Sequence, residues 1–277
     1  MAEFVQTFQL GQATIHVINV GDSQISMADI MDVDDEDHVL YPDAFSDHLR
    51  CPINNVLVQL PHTTVLIDTS LPMPADSPFA IPKETPPPGL LERLTELNVS
   101  PDAIDHVIFT HAHFDHINGP LKDGKPCFPN AKHYLGQADW EDEQIQAHLS
   151  QAFESPNPLE ILKEANLLEL TSGNFEVVDG VKIIATPGES KGHQMARIES
   201  DGQVLYAIGD LCHHPMEVEQ STWAAGWADK DACVSSRKIL FDAALKEDAL
   251  VVSTHIHGVG KLKPSVETNV TWINHTF

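Results

Sequence analysis

The chain has 277 residues, 42% of them hydrophobic and 21% charged, an ordinary balance for a folded protein able to bury a large core. Sixteen Lys and Arg stand against 41 Asp and Glu, a formal charge of −25, and such a surface repels a phosphate backbone, which argues against nucleic acid as a partner. No apolar run approaches the roughly 20 residues that cross a bilayer, so no membrane span is expected. Met1-Ala2-Glu3-Phe4 has no basic region or apolar core for export, so a cytoplasmic location is expected. Cys51, Cys127, Cys212 and Cys233 are widely spaced and form no C-x-x-C pair, which fits reduced thiols.

In chain order, Ala13 to Val20 alternates and is β-branched, so a strand is predicted. Asp22 to Arg50 is acidic and irregular, too long for a simple connection, and reads as a lid. Two strands, Val56 to Leu60 and Thr64 to Asp68, follow across a turn. The proline-dense stretch Leu71 to Pro88 is a second candidate lid. Leu90 to Leu97 has helical spacing and leads to the apolar strand Val107-Ile108-Phe109. Beyond it, Gln137 to Gln151 reads as a polar helix. Asp179-Gly180 and Asp201-Gly202 each punctuate a strand hairpin. Asp229 to Lys246 reads as an amphipathic helix, and Ala249 to Ser253 as a buried strand. Nothing marks a linker, so one domain over residues 1–277 is expected. Two mixed sheets packed face to face with helices outside, an α/β arrangement, accommodate this order, although periodicity alone does not select it.

The chemistry concentrates in Thr110-His111-Ala112-His113-Phe114-Asp115-His116, directly after an apolar strand. On a loop leaving a strand, His111 and His113 can turn toward one point and Asp115 and His116 toward its neighbour. Imidazole nitrogen and carboxylate oxygen suit zinc and other borderline divalent ions. Three further segments follow: Thr186-Pro187-Gly188-Glu189-Ser190-Lys191-Gly192-His193, Gly209-Asp210 after an apolar strand, and Thr254-His255 after another.

The first motif resembles the H-x-H-x-D-H signature of the metallo-β-lactamase superfamily, and the later segments match it in order from about Thr14 to Gly260. The resemblance implies an αββα sandwich with the site at one edge of its two sheets. It also implies two divalent ions, zinc by default, with manganese, cobalt or iron suited to the same ligands. One ion would be held by His111, His113 and His193, the other by Asp115, His116 and His255, with Asp210 bridging. His257 is second to His255 for its role, and His213 and His214 are minor candidates. Where the common family sequence has a histidine after the T-P-G turn, this chain has Glu189; the departure is expected to touch neither ion. Asp68 matches an aspartate that orients a ligand histidine from behind.

Two such ions would lower the pKa of a water between them and polarise a carbonyl or phosphoryl oxygen, with Asp115 as the proton carrier. The tail of the sequence looks most like the methyl parathion hydrolase and acyl-homoserine lactonase branch. The expected activity is hydrolysis of small lactones or esters, with side activity on aryl esters and phosphotriesters. Alternatives are a mononuclear iron persulfide dioxygenase and a thioester hydrolase of the glyoxalase II type. Met27, Phe79 and Ile81 on the two long segments are expected to face the substrate. Trp223 and Trp227 either wall the pocket or pack as core, and the branch suggests a homodimer.

Overall fold

The computed structural model describes residues 4–34, 37–46, 49–77, 79–81, 87–153 and 155–277. β1 (Val5–Leu10) and β2 (Ala13–Ile25) form an antiparallel hairpin. β2 continues past Val20, across an irregularity between Asn19 and Asp22, because it keeps pairing with β3 (Leu49–Leu60) as far as Ile25 opposite Leu49. Both ends of the irregular segment expected over 22–50 are therefore strand, and the short helix α1 (Met27–Ile30) lies between them.

β4 (Thr63–Ile67) precedes α2 (Leu90–Glu96), β5 (His106–Ile108) and the four-residue α3 (Phe114–Ile117). A small hairpin, β6 (Leu121–Lys122) and β7 (Lys125–Pro126), leads to β8 (Lys132–Gly136). The polar helix expected over 137–151 is two helices, α4 (Gln137–Glu141) and α5 (Glu143–Ala152). Asp142 divides them: its carboxylate accepts from Gln144 N and Ile145 N and so caps α5. α6 (Pro158–Glu164), capped by Asn157 in a capping box, and β9 (Leu168–Thr171) complete this half.

The predicted hairpins appear as β10 (Phe175–Val178) with β11 (Val181–Ala185) and β12 (Gln194–Ser200) with β13 (Gln203–Ala207). After α7 (Met216–Glu219), Asp229 caps the long α8 (Lys230–Glu247), which leads into β14 (Leu250–Val252). β15 (Val259–Ser265) and β16 (Asn269–His275) then form a closing hairpin.

Among the described residues the strands make two seven-stranded sheets, ordered β1-β2-β3-β4-β5-β8-β9 and β10 to β16 in sequence. Inward-facing side chains of both, including Ile15, Val58, Ile67, Ile183 and Leu205, share one core. A second core lies under α2, α5 and α6 and a third under α8, which makes the αββα sandwich. β4, β5, β8 and β9 run parallel, as do β13 and β14. Loops at the carboxyl ends of parallel strands are where ligands collect in such folds, and the segments that carry His111 to His116 after β5, Asp210 after β13 and His255 after β14 lie there. No helix among the described residues is long and apolar enough to cross a membrane.

Candidate metal centre

Asp68, one residue past β4, sits in the left-handed region at φ 60°, which aspartate tolerates better than most residues. Its carboxylate accepts from Thr110 N at 2.8 Å and from Thr110 Oγ1 at 2.9 Å, and His116 Nδ1 donates to it at 2.8 Å. One side chain thus fixes both the exit of β5 and the ring of His116. His113 keeps extended backbone at the start of α3, and Asp115 and His116 lie on the helical turn that follows. The change of backbone is what sends the two halves of the motif to different points.

Three more loops meet this one. Gln194 N donates to Thr110 O at 2.8 Å and Gln194 Nε2 to Phe109 O at 2.9 Å, which draws His193 beside the motif. Asn54 Nδ2 donates to Ser253 O and Ile256 O, both at 3.0 Å, so β3 of the first sheet holds the His255 loop of the second. Asp210 follows Gly209, whose φ is +53°; a Cβ there would come within 2.7 Å of Thr110 and 3.0 Å of His193 Nε2. Only glycine lets the aspartate enter so closely.

The rings are held from behind. His193 Nδ1 lies 3.0 Å from the Thr186 carbonyl and His255 Nδ1 3.0 Å from the Pro52 carbonyl, as His116 Nδ1 lies against Asp68. A donor at Nδ1 leaves Nε2 as a bare lone pair turned inward, the tautomer a metal requires. Nε2 of His111, His116 and His193 and Oδ1 of Asp210 are buried without a hydrogen-bond partner. Buried polar atoms are almost always partnered, so such a set fits a divalent cation. Asp210 Oδ2 is central, 3.3 Å from His116 Nε2, 3.3 Å from His255 Nε2 and 3.9 Å from His111 Nε2. His255 Nε2 is also 3.3 Å from Asp115 Oδ2.

Charge is arranged accordingly. Burial opposes ionisation of Asp115, but His116 and His255 outweigh it and hold the carboxyl down at about 2. Burial likewise opposes charge on His255, yet Asp210 and Asp115 raise it to about 9. His111 goes the other way, held well below its ordinary value by burial and then by its imidazole neighbours. The carboxylates thus draw positive charge to this point, the place that a divalent cation would fill.

Donor atoms gather in four groups within mutual reach of an ion: His111, His113 and Glu189; His111, His116 and Asp210; Asp115, His116 and His255; and Glu189, Asp210 and His213. His193 joins none of them, although its ring lies 5.3 Å from that of His111. Glu189, expected to stand apart, is instead buried against His113. His213, a minor candidate, is central, with Nε2 3.5 Å from Asp210 Oδ2 and its ring stacked on His255. His257 is exposed. His214 Nδ1 accepts from Met216 N, a local structural bond.

Asp139 was not legible as a site residue. It is fully buried and accepts from Ala112 N at 2.9 Å, Ser190 Oγ at 2.9 Å and Gly192 N at 2.6 Å, tying the histidine motif to the loop before His193. The spacing in Gly192-His193 carried a trace of it, because a Cβ at Gly192 would strike Asp139. Glu217 was missed too. Its carboxylate accepts from His213 N and His214 N and pairs with the buried Arg237 of α8, so Arg237 is a structural partner rather than a substrate clamp.

The pocket candidates fall in different surroundings. Met27 and Trp223 pack with Met31, Ala44, Cys51 and Met216 as a separate buried cluster, because Tyr41 and Phe45 cover Trp223 edge-on. Phe79 is 44% exposed and Ile81 is partly exposed. The parts of the two candidate lids at 35–36, 47–48, 78 and 82–86 lie outside the described residues. Trp227 does border the site: its ring is 6.3 Å from His113, and its Nε1 donates to Glu189 Oε1 at 2.6 Å. A surface cleft of about 500 Å³ lies at the opposite, hairpin end between Gln12, His62, Asp179 and Asp201 and holds none of the donors. Volume is therefore a poor guide here, and the unpartnered nitrogens are the better one.

Residues 48–215 match the family model of the metallo-beta-lactamase superfamily, and the chain belongs to that superfamily. Within it, the chain is a metal-dependent hydrolase. It is 29% identical to an N-acyl homoserine lactonase of Bacillus cereus over 224 residues, 75% of this chain and 82% of the relative. A lactonase of the same name from Bacillus thuringiensis is 28% identical with the same coverage. Among solved structures, the hydrolase AbOPH of the beta-lactamase superfamily superposes with a TM-score of 0.83 at 21% identity, covering 100% of this chain and 99% of that one. AidC, a dizinc quorum-quenching lactonase solved with its product N-hexanoyl-L-homoserine, gives 0.78 at 20% identity over 99% and 98%.

Proposed function

We propose that the protein hydrolyses small lactones and related carboxylic esters with two divalent ions, and turns over aryl esters and phosphotriesters as side substrates. The observation that carries this is the convergence of the Nε2 atoms of His111, His116 and His255 on Asp210, with Asp115 alongside. His111 Nε2, His113 Nδ1 and His193 Nε2 would hold one ion; Asp115, His116 Nε2 and His255 Nε2 the other; Asp210 serves both. Zinc suits this nitrogen and oxygen set, as do manganese, cobalt and iron. When bound, the ions supply a water of lowered pKa and an electrophile for the substrate carbonyl.

The chain's own residues do the rest. Asp115 is ionised at neutral pH and partly open to solvent, so its carboxylate accepts the proton that the attacking water loses. It then returns that proton to the ring oxygen as the lactone opens. Asp68, Thr186 and the Pro52 carbonyl keep the histidine rings from turning while this happens. The names of the curated relatives support a lactone over a β-lactam, and the group Asp115, His116 and His255 favours a two-ion hydrolase over a mononuclear oxygenase.

The test is hydrolysis of N-acyl homoserine lactones, simple γ-lactones, aryl esters and phosphotriesters by protein loaded with zinc, manganese or cobalt. Lactones are expected to show the highest kcat/KM, with activity lost on chelation and restored by metal. Protein holding two ions per chain but inert toward every lactone and ester would overturn the reading.

A further inference from the structure

Glu189 stands where the loop before His193 departs from the common family sequence, and its surroundings are those of a metal ligand. It is 3% exposed. Its Oε1 lies 3.6 Å from His113 Nδ1 and 3.7 Å from His213 Nε2. Hydrogen bonds between such atoms run about 2.7–3.2 Å, so neither contact is one. Two donors each about 2.0–2.2 Å from a shared ion sit roughly 3–4 Å apart, and the observed spacing falls there. Glu189, His111 and His113 moreover form a group of mutually close donor atoms, while His193 belongs to no such group.

The charge balance points the same way. A buried carboxylate is costly unless it is paired. Among the described residues, the side chains within ion-pair distance of Glu189 are the imidazoles of His113 and His213, and its hydrogen bond comes from the neutral indole of Trp227. A carboxylate has two oxygens and about four lone pairs, so accepting from Trp227 leaves capacity for an ion.

We propose that Glu189 is a carboxylate ligand of the ion held by His111, His113 and His193, which makes that site richer in oxygen and negative charge than three histidines and Asp210 alone; this rests on the two-ion reading above. Added carboxylate oxygen favours ions that take oxygen ligands and more than four of them. The site is accordingly shifted toward manganese or iron(II) relative to zinc.

Glu189→Gln and Trp227→Phe separate the ligand role from the indole contact. The amide of E189Q keeps an oxygen to accept from Trp227, whereas W227F removes the donor and leaves the carboxylate. Affinities for zinc and manganese are measured by chelator competition, and coordination by the visible absorption of the cobalt form. Wild type is expected to take two ions. E189Q should weaken one of them by about 10- to 100-fold, the range that losing even a supporting partner of a ligand produces, with a larger loss for manganese than for zinc. Its cobalt bands should change as a ligand is lost, while W227F leaves affinities and bands unaltered. Two ions bound by E189Q with wild-type affinity and wild-type bands would overturn the assignment and leave the two-ion reading intact. Equal losses in E189Q and W227F would overturn it as well, because the indole contact would then explain the effect. A wild-type protein that binds one ion, retained after His111→Ala, would overturn both.

Discussion

Asp115 is the residue whose surroundings most constrain its chemistry. Its carboxylate lies between the nitrogens of His116 and His255 and keeps one edge partly open, so it can hold an ion and still meet a proton. Asp115→Asn retains the shape and one oxygen but cannot cycle a proton. The expected outcome is a kcat lower by about 10²–10⁴-fold with both ions still bound; near-full turnover with both ions present would make Asp115 a ligand only. The cysteines are not part of this chemistry. Burial pushes the thiols of Cys51 and Cys212 up to about 12, and a neutral thiol is a poor ligand and nucleophile.

At the scale of elements, the segment between β2 and β3 does more than connect. α1 packs Met27 beneath Trp223, Met31 bridges to Ala225, and Tyr41 Oη donates to Glu219 at 2.6 Å, so this segment clamps the loop that follows Asp210. The second long segment is tied to it through Gln24 N, which donates to Phe79 O at 2.9 Å. Removing the Trp223 side chain leaves a cavity among Met27, Met216 and Phe45. Trp223→Ala is expected to lower stability by about 3–5 kcal/mol, whereas Phe79→Ala, at a half-exposed site, should change it by less than about 0.5 kcal/mol. Urea unfolding of both variants checks this. A W223A protein of native stability with an altered KM would return Trp223 to the pocket.

Across the whole molecule, a formal charge of −25 must be accommodated, and some of the cations join separate elements. Arg197 of β12 pairs with Glu247 at the end of α8 at 3.0 Å, and Tyr206 of β13 donates to the same carboxylate at 2.6 Å. Burial opposes the Glu247 charge, but the bonds from Arg197 and Tyr206 prevail and lower its pKa. A carboxyl lowered in the folded state contributes stability above its unfolded value, about 4.3 for glutamate, and loses it as pH falls through the folded value. Glu247→Gln should therefore unfold at lower urea than wild type at pH 7. The gap should close as the pH drops below about 4. A gap that persisted unchanged at pH 3 would show that the glutamine fails sterically rather than through charge.

Local chemistry in the sequence determined much of this protein. A strand followed by His111, His113, Asp115 and His116 needs no distant partner to be read, because backbone leaving a strand and entering a helix sends the two pairs of side chains apart. Asp-Gly turns and alternating β-branched runs likewise marked two hairpins of the second sheet. What the tertiary structure alone decided are contacts between residues far apart in the chain. Trp223 is core because Tyr41 and Phe45 cover it, and nothing near Trp223 in sequence announces them. Asp139 was hidden because its importance lies in donors at Ala112, Ser190 and Gly192, not in its own helix. Glu189 read as a harmless departure because one residue type on a loop says nothing about which ring it faces. Only the tertiary packing of loops far apart in the chain brought it to His113 and His213 and left a buried carboxylate in need of a positive partner.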